Sequence, residues 1–428
     1  MSISPLAKIR KEAALFSFKE KMFLLAAMLC SFLISADYAI IRPVSNSLFI
    51  QGFGAKAFPY AWIVSIPINL LIVSLYNRYL PKLGCFKMFA VIGASIAAIN
   101  TLAGMYVGEI AILPFFFNVW KDIYVMLMFQ LLWSVIHSTV KLDKAKYLYG
   151  LLFGIGALGG FTGSITTSYF AVKLGSENLL FSTLPIYLLL ATSYYFLIRN
   201  SADVDQKVDD SMKKASSLKD SFALIAKSKL LLAILLMVTF MQITATITDF
   251  QFNTYLEKMY PEKDIRTEYF GRLLAFGNIL TMSFQFIGIF IFIRYLGKFR
   301  THLMVPAILC VNALAFVVYP VYGVISYAFL TIKCFDFSVF NVIKEMLYIP
   351  LKMEEKFRAK ALIDVFMYRG AKVFASFFVL ALQIFFSESV MGLLSWINVG
   401  LFVIWCFVVS SIRENYQDAP AVKTATLS

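Results

Sequence analysis

Twelve stretches of this 428-residue chain are apolar for long enough to cross a lipid bilayer, and that repetition limits the possible folds more than any motif does. Crossing a hydrocarbon core of about 30 Å takes roughly 20 residues of helix. The runs lie near 22–48, 58–77, 86–107, 112–138, 146–171, 179–198, 230–255, 269–293, 302–319, 322–343, 360–386 and 390–411. In lipid the backbone has to satisfy its own hydrogen bonds, so such runs are expected as helices. Charged residues make up only 15% of the chain and apolar ones 60%. A soluble domain carries about 25% charge, so a soluble enzyme, a disordered chain and a secreted disulfide scaffold are excluded. The five cysteines (Cys30, Cys85, Cys310, Cys334, Cys406) are scattered, and the two histidines (His137, His302) lack partners at ligand spacing. No disulfide, metal or cofactor is expected. The first run is too long for a signal-peptide core and lacks a clear cleavage site, so it reads as a retained span.

The net charge is +14, from 39 basic and 25 acidic residues. In a soluble protein this would point to nucleic acid; here its placement points to the membrane. With the N-terminus inside, 28 Lys and Arg fall in inner segments and 6 outside: Lys56, Lys173, Lys258, Lys263, Arg266 and Arg272. That bias puts both termini in the cytoplasm and leaves lipid, not nucleic acid, as the surrounding partner. The polar stretch 200–229 separates a six-span half at 1–199 from a second at 230–412, followed by a tail at 413–428. The halves echo each other. Ala145-Lys146 recurs as Ala359-Lys360 and Gly156-Ala157 as Gly370-Ala371, both at an offset of 214, and Arg78-Tyr79-Leu80 recurs as Arg294-Tyr295-Leu296. The expected fold is an all-α polytopic membrane protein: twelve transmembrane helices, major-facilitator-like, in two pseudo-symmetric six-helix halves that hold substrate near the midplane and work by rocking.

Ionisable residues inside a bilayer are costly, about 2.5–3.5 kcal/mol or more each, and usually face a cavity or a partner. Span one carries Asp37 and Arg42, span four Lys121 and Asp122, span seven Asp249, span ten Lys333 and Asp336, and span eleven Asp364, Arg369 and Lys372. Asp37 and Arg42 are five apart and off a common face; Arg42 reads as a cavity cation or as half of a pair with another helix. Lys333 and Asp336 are three apart and can pair. Lys121, near the outer edge, is placed to snorkel. Arg369 and Lys372 are neighbours on one helix face, and two adjacent cations in an apolar helix call for an anion or an acid. Asp364 is expected to pair with the basic cluster Lys356–Lys360. Span five carries Gly150, Gly154, Gly156, Gly159, Gly160 and Gly163. No strand precedes them and no Lys-Ser/Thr follows, so a phosphate loop is excluded, and close helix packing is the expected role. Polar residues close span one (Ser45, Asn46, Ser47) and run through span seven (Gln242, Thr244, Thr246, Thr248, Gln251, Asn253), predicting a polar wall there.

Three stretches carry a resemblance. Leu347-Tyr348-Ile349-Pro350-Leu351 leads through Lys356 and Arg358-Ala359-Lys360 to Ile363-Asp364-Val365 and Lys372. Ala145-Lys146-Tyr147-Leu148-Tyr149-Gly150 continues to Phe153-Gly154-Ile155-Gly156-Ala157. The third surrounds Tyr38 and Arg42. Together they resemble the non-mitochondrial ATP/ADP translocases, the nucleotide transporters of plastids and intracellular bacteria. The resemblance implies a transporter with functional charges in the membrane, of which Lys372 is retained. The family's first-span Lys falls on Ser45, the Glu of its Ala-Glu-Leu-Trp-Gly-Ser segment falls on Gln130, Pro43 replaces an Asp, and the seventh-span Glu has no clear counterpart in 244–249. These departures imply a less charged substrate than ATP, a different one, or a changed coupling ion.

The expected function is therefore secondary active transport of a nucleotide or related anionic phosphorylated metabolite, by exchange or proton coupling. The substrate-binding candidates are Arg42, Lys372, Arg369, Ser45, Asn46, Gln130 and Lys333. Asp37 and Asp249 are the coupling candidates, because intramembrane acids are the usual carriers of a relayed proton. A cation and an anion ~4 Å apart attract by about 4 kcal/mol at an effective dielectric of about 20, so Arg42 and Lys372 suit a monophosphate better than a triphosphate. Two alternatives stay open: a neutral or cationic cofactor-like substrate, and a non-transporting membrane sensor or assembly subunit. No paired catalytic acids, Ser/His set or metalloprotease motif marks an enzyme. The short N-terminus leads to the expectation of a cell inner membrane rather than a plastid, and a monomer is expected.

Overall fold

The computed structural model describes residues 17–139, 142–201, 225, 228–348, 360, 362–363, 367–386 and 389–416, with the side chains of 142–151 and of 286, 287, 289 and 290 left aside. The N-terminal basic stretch before Ser17, nearly all of the 200–229 linker, Ile349–Ala359, Asp364 and the tail beyond Tyr416 lie outside the described residues, as do the side chains of Ala145–Gly150.

The described residues form eleven helices: α1 (Phe18–Phe53), α2 (Phe58–Tyr106), α3 (Leu113–Thr139), α4 (Leu142–Leu174), α5 (Thr183–Arg199), α6 (Lys229–Met259), α7 (Lys263–Ser283), α8 (Ile289–Val318), α9 (Tyr322–Leu347), α10 (Tyr368–Phe385) and α11 (Val390–Ser411). Among the described residues nine of them, all but α4 and α7, are long and apolar enough to cross a bilayer. The difference from the twelve runs has identifiable sources. Helix α2 takes in two runs, 58–77 and 86–107, joined through Gly84 at φ 73°, ψ 166°. Helix α8 likewise contains Gly297 at φ 75°, ψ 166°. A side chain is strained in that region of backbone space, which glycine enters freely. Helix α7 opens with five charged residues in its first ten, Lys263, Asp264, Arg266, Glu268 and Arg272.

The chain divides into two compact units, Met1–Ala215 with Leu256–Ile279, and Ser216–Tyr255 with Leu280–Ser428. The boundary runs within α6 and α7.

In unit 1, α1 is the central helix, packed against α3, α4 and α5. Its N-terminus is closed by a capping box: the Glu20 N–H donates to Ser17 Oγ at 3.2 Å and the Ser17 N–H to Glu20 Oε2 at 2.8 Å, which satisfies two backbone donors that a helix start leaves open. The glycines of α4 set the spacing to α1. A Cβ on Gly159 would stand 2.2 Å from the Phe32 carbonyl oxygen, and one on Gly163 equally close to that of Ala36. Pro43 lies inside α1. Having no N–H, it leaves the Ala39 carbonyl without its helical donor. The Thr167 hydroxyl of α4, which donates to the Gly163 carbonyl at 3.1 Å, also lies 3.5 Å from the Ala39 oxygen.

In unit 2 the core forms around α6, α8, α9 and α11, with Ile234, Met237, Met241, Ile332, Val339 and Trp405 buried together. Phe340 meets the Trp405 ring edge-on at 5.3 Å. His302 is fully buried beside the Phe340 ring.

Candidate functional site

Unit 1 places most of its polar side chains along α1. Asp37 is buried, and its Oδ2 accepts a 2.8 Å hydrogen bond from the Tyr124 hydroxyl of α3. It does not pair with Arg42. One residue on, Tyr38 donates to Asp122 Oδ1 at 3.2 Å. Lys121 is buried; its Nζ donates to the Asn118 carbonyl at 3.0 Å and lies 3.7 Å from Asp122 Oδ2. It is thus neutralised within α3 rather than snorkelling outward. Asn118 also gathers the polar end of α1: its Nδ2 donates to Asn46 Oδ1 at 3.2 Å and to Ser45 Oγ at 3.4 Å. The structure therefore joins Ser45 and Asn46 through a residue that sequence reasoning passed over. The available signal was one amide in an otherwise apolar run, three residues before Lys121.

Arg42 is half-buried, and its guanidinium stands 5.9 Å from the Phe270 ring centroid, a cation–π contact with α7. No acidic residue among the described ones forms an ion pair with it. Gln130, on α3, is half-buried.

Arg266 was read from the sequence as an outer-loop charge. In the structure it is 2% exposed. Its Nε donates to the Tyr260 carbonyl at 2.9 Å, its Nη1 to the Ser47 carbonyl at 3.2 Å and its Nη2 to the Pro261 carbonyl. The neighbouring contacts follow the same line: Asp264 Oδ1 accepts from the Ser176 N–H at 2.8 Å, Lys263 pairs with Glu177, and Glu257 Oε2 accepts from the Ala55 N–H at 2.9 Å. No periodicity marks Arg266, because its partners are backbone carbonyls.

Unit 2 brings together acids and cations that lie far apart in sequence. Lys333 of α9 forms an ion pair with Asp249 of α6 at 2.8 Å. A substrate-binding candidate and a coupling candidate are thus each other's partner. Asp336, the expected i,i+3 partner of Lys333, instead accepts hydrogen bonds from Gln242 Nε2 at 3.3 Å and from the Tyr368 hydroxyl at 3.4 Å. Arg369 and Lys372 lie half-buried on α10. The polar residues of α6 point inward as expected: Gln251 Nε2 donates to Ser395 Oγ at 2.8 Å, and Asn398 Nδ2 to Thr248 Oγ1 at 3.3 Å. They border a cavity of about 20 Å³ that Asn312 also lines, large enough for a single water molecule. Among the described residues no cluster of His, Cys, Asp and Glu is arranged to hold a metal ion.

Bilayer-length helices, with buried charges and a polar wall along α6, define a multi-pass membrane protein. Solved structures share the fold. A mutant of the nucleoside transporter NupG superposes with a TM-score of 0.67 at 13% identity, covering 91% of this chain and 100% of that one. A bacterial homologue of the iron transporter ferroportin, in an inward-facing state, gives 0.64 at 16% identity over 92% and 99%. A D-xylose–proton symporter gives 0.62 at 13% over 91% and 96%. In sequence, the profile of the TLC ATP/ADP transporter family matches residues 109–326 and 321–416. ADP,ATP carrier protein 1 of Chlamydia pneumoniae is 23% identical over 86% of both chains, and that of Chlamydia trachomatis serovar D is 24% identical over 99% of this chain and 94% of its own. The chain belongs to the TLC ATP/ADP transporter family. It is a multi-pass membrane transporter and not an enzyme.

Proposed function

We propose that this protein moves a nucleotide or related anionic phosphorylated metabolite across an inner membrane by alternating access. In this reading its helices supply twelve spans in two six-helix halves, with both termini in the cytoplasm. Gly84 and Gly297 support the repeat: they break α2 and α8 with nearly the same backbone angles, 213 residues apart. The excess of basic residues in alternate loops supports the orientation. The ADP,ATP carriers among the relatives support a nucleotide-like substrate.

The observation that carries the anion reading is Arg42. Lys121 and Lys333 are answered by Asp122 and Asp249; Arg42 has a ring for a neighbour and no acid among the described residues. A membrane-embedded guanidinium against an aromatic face is a ready fork for phosphate oxygens. In unit 2, Arg369 and Lys372, one helical turn apart, are the cations proposed to contact substrate. With Ser45 in place of the family's Lys, the site in unit 1 has one cation fewer, which favours a substrate of lower charge than ATP.

The test is uptake into proteoliposomes preloaded with ADP, using labelled ATP, ADP and AMP in parallel. Uptake of at least one is expected, with the lower-charge nucleotides favoured. Arg42→Ala removes a charge-assisted hydrogen bond worth about 1.5–3 kcal/mol, so apparent affinity should fall by roughly tenfold to a hundredfold. Full transport by Arg42→Ala, or no uptake of any nucleotide by folded wild-type protein, would defeat the reading.

A further inference from the structure

The carboxyl group of Asp37 has an environment that no other acid among the described residues shares. It is 1% exposed. The side chains bordering it are Tyr124 of α3 and Thr183 and Tyr187 of α5. Asn100 of α2 closes the cluster: its Nδ2 donates to Thr183 Oγ1 at 3.1 Å, and its side chain reaches the Tyr124 hydroxyl. The titratable groups facing Asp37 from these packed helices are thus two phenols. Helix α4 meets α1 with Gly159, Gly163 and Thr167, none of them ionisable. The nearby charges of α3 are engaged elsewhere, Asp122 with Tyr38 and Lys121 with Asp122. Arg42 lies over Phe270.

Asp249, by contrast, faces Lys333 at 2.8 Å, and Asp336 lies one helical turn from the same Lys333 and accepts from Gln242 and Tyr368. Tyr124 supplies one donor, to Asp37 Oδ2. Asp37 Oδ1 has no hydrogen-bond partner, nor do Asn100 Oδ1 and the Tyr187 hydroxyl. Two acceptor oxygens and a rotatable hydroxyl are thus held in one buried cluster, with no positive charge among the described residues that border it. A buried carboxylate without a cation is among the most expensive arrangements a protein can hold, and it is commonly relieved by taking up a proton. A proton on Oδ1 would remove that charge and turn the oxygen into a donor.

From this cluster we infer that Asp37, held by Tyr124, Asn100, Thr183 and Tyr187, is a proton-binding site of the transporter, and that its protonation and release are linked to the transport cycle. The site rests on the transport reading for its purpose but not for its existence. The proton adds to Asp37 Oδ1 and leaves from the same atom, and no covalent bond to carbon changes. Asp249, engaged by Lys333, is then a structural acid. The assignment lies on α1, five residues before Arg42, so that proton and anion would act on the same helix.

Infrared difference spectroscopy on the purified, substrate-free protein tests the site directly. A protonated carboxyl has a carbonyl stretch that a carboxylate lacks. The wild type should show this band at neutral pH, Asp37→Asn should lose it, and Tyr124→Phe, which removes the donor to Oδ2 and leaves the carboxyl in place, should shift it. No such band in wild type, or a band that persists unchanged in Asp37→Asn, would overturn the site. The linkage is tested in proteoliposomes with labelled ADP. Asp37→Asn should keep ADP counterflow and lose accumulation driven by a pH gradient. Gradient-driven accumulation equal to wild type in Asp37→Asn would overturn the linkage. If wild type moves no nucleotide, the substrate reading fails, while the infrared result still decides the site.

Discussion

The Lys333–Asp249 pair can be separated from any role in binding substrate by a double-substitution cycle. The nitrogen and oxygen stand 2.8 Å apart, and the two side chains are 22% and 15% exposed. At an effective dielectric of about 20, the direct attraction at that distance is about 6 kcal/mol before desolvation. Removing one partner of a fully buried pair costs about 3–5 kcal/mol, because the survivor keeps its desolvation penalty and loses its compensation. The residual exposure here lowers that to about 2–4 kcal/mol for Lys333→Met or Asp249→Asn. Lys333→Met should be the worse of the two, since Asp336, one turn further along α9, also loses a nearby cation. The double variant removes both charges together and should be less destabilised than the sum of the singles by about 2 kcal/mol or more. Reversible unfolding in mixed detergent micelles, followed by circular dichroism, provides the four free energies. Additivity within ~0.5 kcal/mol would refute the pairing, since independent sites behave that way. Uptake by the same four proteins carries the argument from structure to function. If the pair is structural, the double variant recovers transport that the singles lose; if Lys333 holds substrate, transport stays lost with or without Asp249.

The remaining predictions concern packing and the C-terminal end of α1. Gly163→Ala places a methyl 2.2 Å from the Ala36 carbonyl oxygen, which α1 and α4 can relieve only by separating roughly 1 Å, at a cost of about 1–3 kcal/mol or more; a clear fall in melting temperature is expected. Gly370→Ala is the control, because a Cβ there meets nothing within 4 Å, and helix propensity predicts a gain of up to about 1 kcal/mol. Arg266→Lys replaces a fork that reaches three carbonyls, those of Ser47, Tyr260 and Pro261, with a point donor, and should lower thermal stability by about 1.5–3 kcal/mol. An unchanged melting curve would mean that the Arg266 contacts do not hold the end of α1.

The sequence was most legible where one physical rule acts on many residues at once. Bilayer length and apolar runs marked α1, α3, α5, α6 and α11 to within a few residues, because hydrocarbon leaves the backbone no other way to pair. The glycines of α4 were also readable as packing residues, since small side chains at helical spacing have few other uses. Individual partners were much harder to read. Lys333 and Asp336 satisfy an i,i+3 rule, yet Lys333 finds Asp249, 84 positions away, at 2.8 Å. A local rule states who can meet along one helix, and tertiary packing decides who does. Arg266 looked like one more loop charge because nothing in a sequence marks a guanidinium whose partners are carbonyl oxygens.

The cations on α1 and α9 show why the intramembrane charges of this chain cannot be assigned one role. Each is costly to insert, so each needs compensation, and the kind of compensation separates them. Lys333 is compensated by a carboxylate, that of Asp249 on α6. Among the described residues Arg42 is compensated by an aromatic face, which attracts a cation more weakly than an acid does and leaves the outer edge of the guanidinium able to take an anion. Asp37 has no cation beside it among the described residues, and a proton is the smallest positive charge that fits a cluster already filled by two phenols, an amide and a hydroxyl. An anion held at Arg42 and a proton held at Asp37 would alter the charge of α1 in the same cycle and with opposite sign, so that the proton offsets one of the anion's charges. That relation gives proton coupling a physical reason in this chain. With Ser45 where the family's Lys would fall, α1 carries one positive charge fewer, and a proton taken up with the anion would offset that loss.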